Sequence, residues 1–279
     1  KQKGLSFTLV QFLLLIAAYY SLNNKFSSSY SAYALDEFTN IFKFILLVGS
    51  LTIFHYTYKH LKFLKILKIE YFTISLLGLI GTMIMISANS LLMLYLGIEL
   101  LSLSLYAVIG FNKKSSLSSE AAIKYYVLGA MSSGILLFGI SLIYGFTGSI
   151  AYDDIASQLI NVDMNSVDYI AIIFGIIFIT ASLCFKFGAA PFHMWVPDIY
   201  QGSLISTTIL LSTLPKIAVF IVFLKLYFIP FILFREVWSD ILIFVGMLSI
   251  VIGSLFALTQ ENIKRLLAYS AISNIGFII

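Results

Sequence analysis

Residues 71–112 read YFTISLLGLIGTMIMISANSLLMLYLGIELLSLSLYAVIGFN, and Glu99 is the only charged side chain among them. As a single helix this stretch would be about 63 Å long, roughly twice the hydrocarbon core of a bilayer. It therefore divides into two membrane-crossing helices. The polar cluster Ser87, Asn89 and Ser90 predicts the turn between them. Lipid is the solvent such a segment demands, because a helix satisfies its backbone polar groups internally.

The rest of the chain reads the same way. Its 279 residues are 60% hydrophobic and only 11% charged, with a mean hydropathy of +1.00. Soluble domains carry about 25% charged residues, and those residues normally cover the surface of a globule. Most soluble enzymes, nucleic-acid binders and disordered chains are thereby excluded. The formal net charge of +4 is too small and too dispersed to be the footprint of a polyanion partner. Cys184 is the single cysteine and cannot form an internal disulfide; no Cys/His cluster suggests zinc or iron–sulfur ligation. Arg235 and Arg265 are the only arginines among 17 basic residues, and Ile and Phe are abundant. That bias resembles an AT-rich genome, mitochondrial or bacterial, and mitochondrial is the expectation.

Charge-poor runs place the remaining spans at 4–24, 38–58, 121–148, 169–190, 201–229 and 241–260, with a last run, 266–279, too short to cross. The expected fold is an all-α polytopic membrane protein with about eight full transmembrane helices and a partial ninth. The 4–24 run is too long for a signal-peptide core and lacks a clear small-residue cleavage site. Alternating topology puts Lys1, Lys3, Lys59, Lys62, Lys65, Lys68, Lys113, Lys114, Lys264 and Arg265 on one side. The other side holds only Lys25 and Arg235, with the acidic run Asp153, Asp154, Asp163 and Asp168. The positive-inside rule then puts the N-terminus on the cytoplasmic or matrix side.

Ionisable residues within a membrane are costly and usually functional. Glu99 lies about 15 Å into its helix, near the midplane, with no neutralising neighbour in sequence. It reads as a proton carrier or ion ligand rather than a structural ion pair. Lys216 sits at similar depth after Pro215, which frees the carbonyl of Leu211 and bends a helix. Lys186 lies in a charge-poor stretch from Tyr169 to Pro197, about 43 Å as helix and too long for one span. Gly188, Pro191 and Pro197 predict a helix broken near 186–197, and broken helices line ion-conducting cavities. Lys124, in the first turn of its helix, either snorkels or acts. Lys225 is expected to snorkel at the outer end of its helix, and His193 and Trp195 to anchor at the interface. Lys264 is explained mostly by orientation. Gly129, Ala130, Ser132, Ser133 and Gly134 form a small-residue face for helix packing.

Four stretches carry a resemblance: GIELLSLSLY at 97–106, EAAIKYYVLGAMSSGILLFGISLIYGFTG at 120–148, FKFGAAPFHMWVPDIYQG at 185–202 and NIKRLLAYSAISNIGF at 262–277. In order and content they resemble the NADH–quinone oxidoreductase subunit N family, the antiporter-like membrane subunits of respiratory complex I. The resemblance implies a proton-translocating subunit with two inverted five-helix repeats. The chain would be one membrane domain, 1–279: a helix pair at 4–58, the first repeat at 71–229, and a truncated start of the second at 241–279. Glu99, Lys186 and Lys216 match the family's central proton-transfer residues, and Lys124 and Lys264 also match family lysines. Leu204 stands where the family usually has proline. Implied partners are other complex I membrane subunits, especially the neighbouring antiporter-like subunit and the small membrane subunits, with membrane lipids and possibly a second chain completing the second repeat. NADH, FMN, iron–sulfur clusters and quinone would belong to partner subunits, with no cofactor or metal in this chain. The alternatives are a stand-alone monovalent cation/proton antiporter or a structural membrane scaffold. A mitochondrial inner membrane is expected, with a bacterial plasma membrane as the alternative.

Overall fold

A computed structural model describes residues 2–23, 28–29, 32–160, 162 and 167–279. Among the orienting charges, Lys1, Lys25 and Asp163 lie outside the described residues, as does the side chain of Lys3. Eleven helices follow one another among the described residues: α1 Gln2–Asn23, α2 Glu37–Phe63, α3 Ile69–Ser87, α4 Leu91–Ile109, α5 Ser116–Thr147, α6 Tyr152–Leu159, α7 Val167–Phe187, α8 Trp195–Gly202, α9 Ile205–Phe228, α10 Arg235–Leu258 and α11 Ile263–Ile278. A two-residue ladder pairs Ser28–Ser29 with Ala34–Leu35.

Among the described residues, seven helices are long and apolar enough to cross a membrane: α2, α3, α4, α5, α7, α9, and α10 with the short 3-10 turn before it. The apolar part of α1, Phe7–Asn23, is shorter, and α11 has 16 residues. The fold is thus the expected all-α polytopic membrane protein. Residues 71–112 divide as expected, and the turn falls at 88–90. Ser90 caps α4 there by accepting from the Met93 amide, a common use of serine at a helix start.

Loop hydrogen bonds define the two ends of the bundle. Asn89 donates its amide to Ala32 O, Leu91 to Ile150 O, and Tyr152 to Asn89 O, so these loops share one end. The other end holds the turns at 64–68 and 110–115 with Lys65, Lys68, Lys113 and Lys114, and the turn at 259–262 just before Lys264 and Arg265 of α11. Ser118 Oγ donates to Ile109 O there, and His60 Nδ1 lies 3.3 Å from Ser206 Oγ. The basic and acidic ends of the sequence reading are thus the two ends of the molecule.

Packing centres on α9, which touches α2, α3, α4, α7 and α8. The main helix pairs are α3 with α4, α5 with α7, and α10 with α11. α9 is thus enclosed by the N-terminal helices and α7, whereas α10 packs mainly on α11 and leaves its other side exposed.

Candidate functional site

The site is built where α7 stops. Its last residues, Lys186 and Phe187, lead into Gly188, whose φ of +82° is left-handed. That conformation suits glycine, and a Cβ there would meet Val196 Cγ2 at 2.8 Å. Gly188 and Ala189 both donate their amides to Cys184 O at 2.9 Å, closing the helix end. The chain then turns through 189–194 before α8 begins, so the expected break near 186–197 is present.

A helix broken inside a membrane leaves backbone groups that need partners. Two side chains supply them. Trp195 Nε1 donates to Phe185 O at 2.9 Å, and Ala190 N donates to Ser249 Oγ on α10 at 2.8 Å. Trp195 is only 2% exposed and packs against Tyr125 and Phe185. The expected interfacial anchor is therefore a core residue that satisfies the broken helix. His193 is half-buried. Leu204, at the family's proline position, caps α9 with φ −64°, the value proline would impose.

Lys186 is 7% exposed, and its Nζ donates to Ser102 Oγ on α4 at 2.8 Å. Ser102 lies three residues beyond Glu99 on α4, so the two share a face. Ser133 on α5 donates its hydroxyl to Glu99 Oε1. On the same α5 turn, Ser132 Oγ lies 2.9 Å from Ser182 Oγ of α7, one turn before Lys186. Glu99 and Lys186 form no direct ion pair; three helices hold them within electrostatic reach of each other through serines. Of the two serines read as packing residues, Ser132 does join α5 to α7, while Ser133 instead binds the Glu99 carboxylate. Gly129 and Gly134 differ. A Cβ on Gly129 would strike Tyr106 Oη at 2.1 Å, whereas Gly134 faces open space. Gly134 therefore has no close-packing role within this chain.

Lys216 is half-buried on α9, which runs unbroken through Pro215. Its Nζ lies 5.9 Å from the ring centroid of Tyr200 on α8, within range of a cation–π contact. The structure does not join Lys216 to Glu99 or Lys186 by a direct hydrogen bond. Lys225, expected to snorkel, is instead 7% exposed at the acidic end, near Asp36 and Lys43. It lies against α2, which closes over that end of α9, so the chain and not the membrane interface houses it.

Lys124 and Lys264 gather at the basic end around α8. Lys124 Nζ pairs with Glu120 at 2.8 Å and with Asp198 at 3.0 Å. Arg265 pairs with the other oxygen of Asp198 at 2.8 Å. Burial alone would raise the Asp198 carboxyl, but hydrogen bonds from Lys124 and Arg265 outweigh it and hold it below the usual carboxylate range. Lys264 Nζ donates to Ser203 O at 2.8 Å and Gln201 O at 3.4 Å, so it caps the end of α8. Glu120, Lys124, Asp198 and Arg265 border a cleft of about 180 Å³. Lys124 is therefore held in an ion-pair network with Glu120 and Asp198.

The sequence reading missed Ser102, Asp198, Tyr200 and Ser249. Only Ser102 carried a usable signal: Tyr95, Glu99, Ser102 and Tyr106 recur at helical spacing along one face of α4.

Residues 88–279 match the family described as NADH:quinone oxidoreductase/Mrp antiporter, TM. The NADH-quinone oxidoreductase subunit N of Ruthia magnifica is 44% identical over 88% of this chain and 51% of its own length. That of Azoarcus sp. is 38% identical over 99% of this chain and 57% of its own. The chain spans about half the length of the curated relatives it matches. A chain of respiratory complex I from Thermus thermophilus with bound Aureothin superposes with a TM-score of 0.75 at 28% identity, covering 99% of this chain and 56% of that one. A chain of the membrane-bound sulfane sulfur reductase, an archaeal respiratory membrane complex, shares the fold with a TM-score of 0.81 at 23% identity, covering 97% of this chain and 57% of that one. With its matched residues spanning the helix break and the lysines on either side of it, the chain belongs to the NADH:quinone oxidoreductase/Mrp antiporter transmembrane family.

Proposed function

We propose that this chain forms part of a membrane subunit of an NADH:quinone oxidoreductase and carries protons across the membrane, driven by redox chemistry in partner subunits. The observation that carries this reading is the Glu99–Ser133 and Ser102–Lys186 arrangement, which suspends a carboxylate and an ammonium beside a helix break. A carboxylate near Lys186 stabilises the protonated lysine. Weakening that influence releases the proton, so Glu99 and Lys186 form a loading and release pair. Lys216 is the next carrier, on the central helix α9. Lys124 and Lys264 serve the basic end, where Lys124 shares Asp198 with Arg265 and Lys264 fixes the end of α8.

Subunit N relatives support complex I membrane subunits as partners, the neighbouring antiporter-like subunit first. NADH, FMN, iron–sulfur clusters and quinone are assigned to those partners. Residues 71–229 are read as the first repeat and 241–279 as the start of the second; the exposed side of α10 is where the remainder of that repeat packs. Bacterial relatives favour a plasma membrane over a mitochondrial one, and the basic end, with the N-terminus, faces the cytoplasm. The family also includes Mrp antiporters, but buried lysines at the site repel a sodium ion. Glu99→Gln in the assembled complex, with proton translocation measured against quinone reduction, tests the reading.

A further inference from the structure

Lys43 lies on α2, about 10 Å along the helix from its acidic end, and is 7% exposed. Its Nζ donates to Tyr33 Oη at 3.0 Å. An ammonium has three donors, and a charge inside a membrane segment is costly unless it is paired. Among the described residues no carboxylate stands within ion-pair distance of Lys43; the ion pairs there are those of Lys124 and Arg265. The sequence around it is equally bare. Residues 1–35 contain neither Asp nor Glu, and α3 carries only Glu70, at its opposite end. Asp36 is committed elsewhere, since its Oδ1 accepts from the Thr39 amide at 2.8 Å and caps α2, and Glu37 is exposed.

Lys43 lines a cavity of about 560 Å³ between α1, α2 and α3, within the range of about 300–1,000 Å³ that encloses small organic ligands. The lining is graded with depth. Tyr33, Asn40 and Lys43 stand toward the acidic end, whereas Leu14, Leu47 and Leu76 lie about ten residues, or about 15 Å, from the acidic ends of their helices. That reach is about half the hydrocarbon core of a bilayer. Ile80 on the cavity's border is 49% exposed, so the cavity opens sideways. Tyr19 and Tyr20 are exposed at the end of α1, as aromatic residues are at headgroup level.

We propose that this cavity holds one anionic phospholipid of the leaflet at the acidic end, with its phosphate on the Lys43 ammonium and an acyl chain between α1, α2 and α3. The ammonium keeps its bond to Tyr33 and gives a further donor to a phosphate oxygen, a charge-assisted hydrogen bond. The phosphate supplies the counter-charge that the chain lacks around Lys43. Basic pockets between transmembrane helices take anionic head groups in this way. A zwitterionic lipid fits less well, because its own cation offsets the charge that Lys43 selects. The inference is independent of the proton-carrying reading, in which Lys43 has no part.

The test uses the full-length subunit in the assembled complex, reconstituted in phosphatidylcholine vesicles. A small share of the lipid carries a photoactivatable diazirine in one acyl chain, on either phosphatidylglycerol or phosphatidylcholine. Mass spectrometry of the crosslinked peptides reads where each probe sits. The phosphatidylglycerol probe should label residues 14–21 and 76–83 about fivefold more than the phosphatidylcholine probe. Fivefold corresponds to about 1 kcal/mol, the worth of one lysine near an anionic lipid surface. Lys43→Met should bring the two probes level, and Lys43→Arg should keep the preference. Equal labelling of the wild type by both probes would overturn the inference, because the groove would then take any acyl chain. No labelling there would overturn it too, and is the result expected if a helix of the complex fills the cavity. A preference unchanged in Lys43→Met would also overturn it, by removing the ammonium from the recognition. If Lys43→Met does not assemble, the wild-type comparison of the two probes decides.

Discussion

Lys186 Nζ and Ser102 Oγ are joined by a hydrogen bond of 2.8 Å between α7 and α4. Ser102 passes its own proton to Ile98 O at 2.7 Å, so its oxygen is free to receive the lysine. Ser102→Ala is expected to leave the ammonium without this acceptor. Hydrogen bonds to charged groups are worth about 1.5–3 kcal/mol, and tenfold corresponds to about 1.4 kcal/mol. Proton translocation per quinone reduced should therefore fall about tenfold in a complex that still assembles. A ratio equal to wild type would show that Ser102 only packs α4 against α7.

Trp195→Phe should destabilise the subunit by about 0.5–1.5 kcal/mol, the net worth of the lost hydrogen bond, because the Gly188 amide still donates to Phe185 O at 3.0 Å. Thermal unfolding of the purified complex checks it. The loss should exceed that of an aromatic-to-aromatic exchange at an exposed position such as Tyr126→Phe.

Asp198 gives a pH dependence whose sign follows from its lowered carboxyl. A group depressed in the folded state contributes stability above its unfolded value, about 3.9 for aspartate, and loses it as pH falls through the folded value. Wild type and Asp198→Asn should therefore differ by a constant amount from pH 8 to 5 and converge below about pH 4. Because the pairs are partly exposed, each is worth about 0–1 kcal/mol. Melting temperatures across pH read the convergence.

The sequence carried the spans well because lipid imposes one rule, that backbone groups be satisfied within helices, and long apolar runs are its direct trace. Glu99 and Lys186 stood out for the same reason: a charge in such a run is conspicuous. What satisfies them was harder to see. Ser133 and Ser249 are uncharged and lie far along the chain from the groups they serve, so no local pattern links them to Glu99 or to the break at Ala190. Trp195 and Lys225 were read from their nearness to a span end. Both turned out buried, because α5 and α2 close over those ends, and one-dimensional depth cannot register a neighbouring helix. Tyr200 is ordinary in sequence and is set against Lys216 only by the fold.

The central claim is that the Glu99 charge drives proton movement through Lys186. Glu99→Gln keeps the shape and can still accept a hydrogen bond from Ser133, but removes the charge. The most direct measurement is proton uptake into inverted membrane vesicles containing the assembled complex, with quinone reduction recorded in parallel. An opposite charge within about 4–6 Å shifts a protonation equilibrium by about 1–3 units, so its loss should reduce translocation tenfold or more. The account predicts that fall with the complex fully assembled. Wild-type translocation and turnover in an assembled Glu99→Gln complex would contradict it.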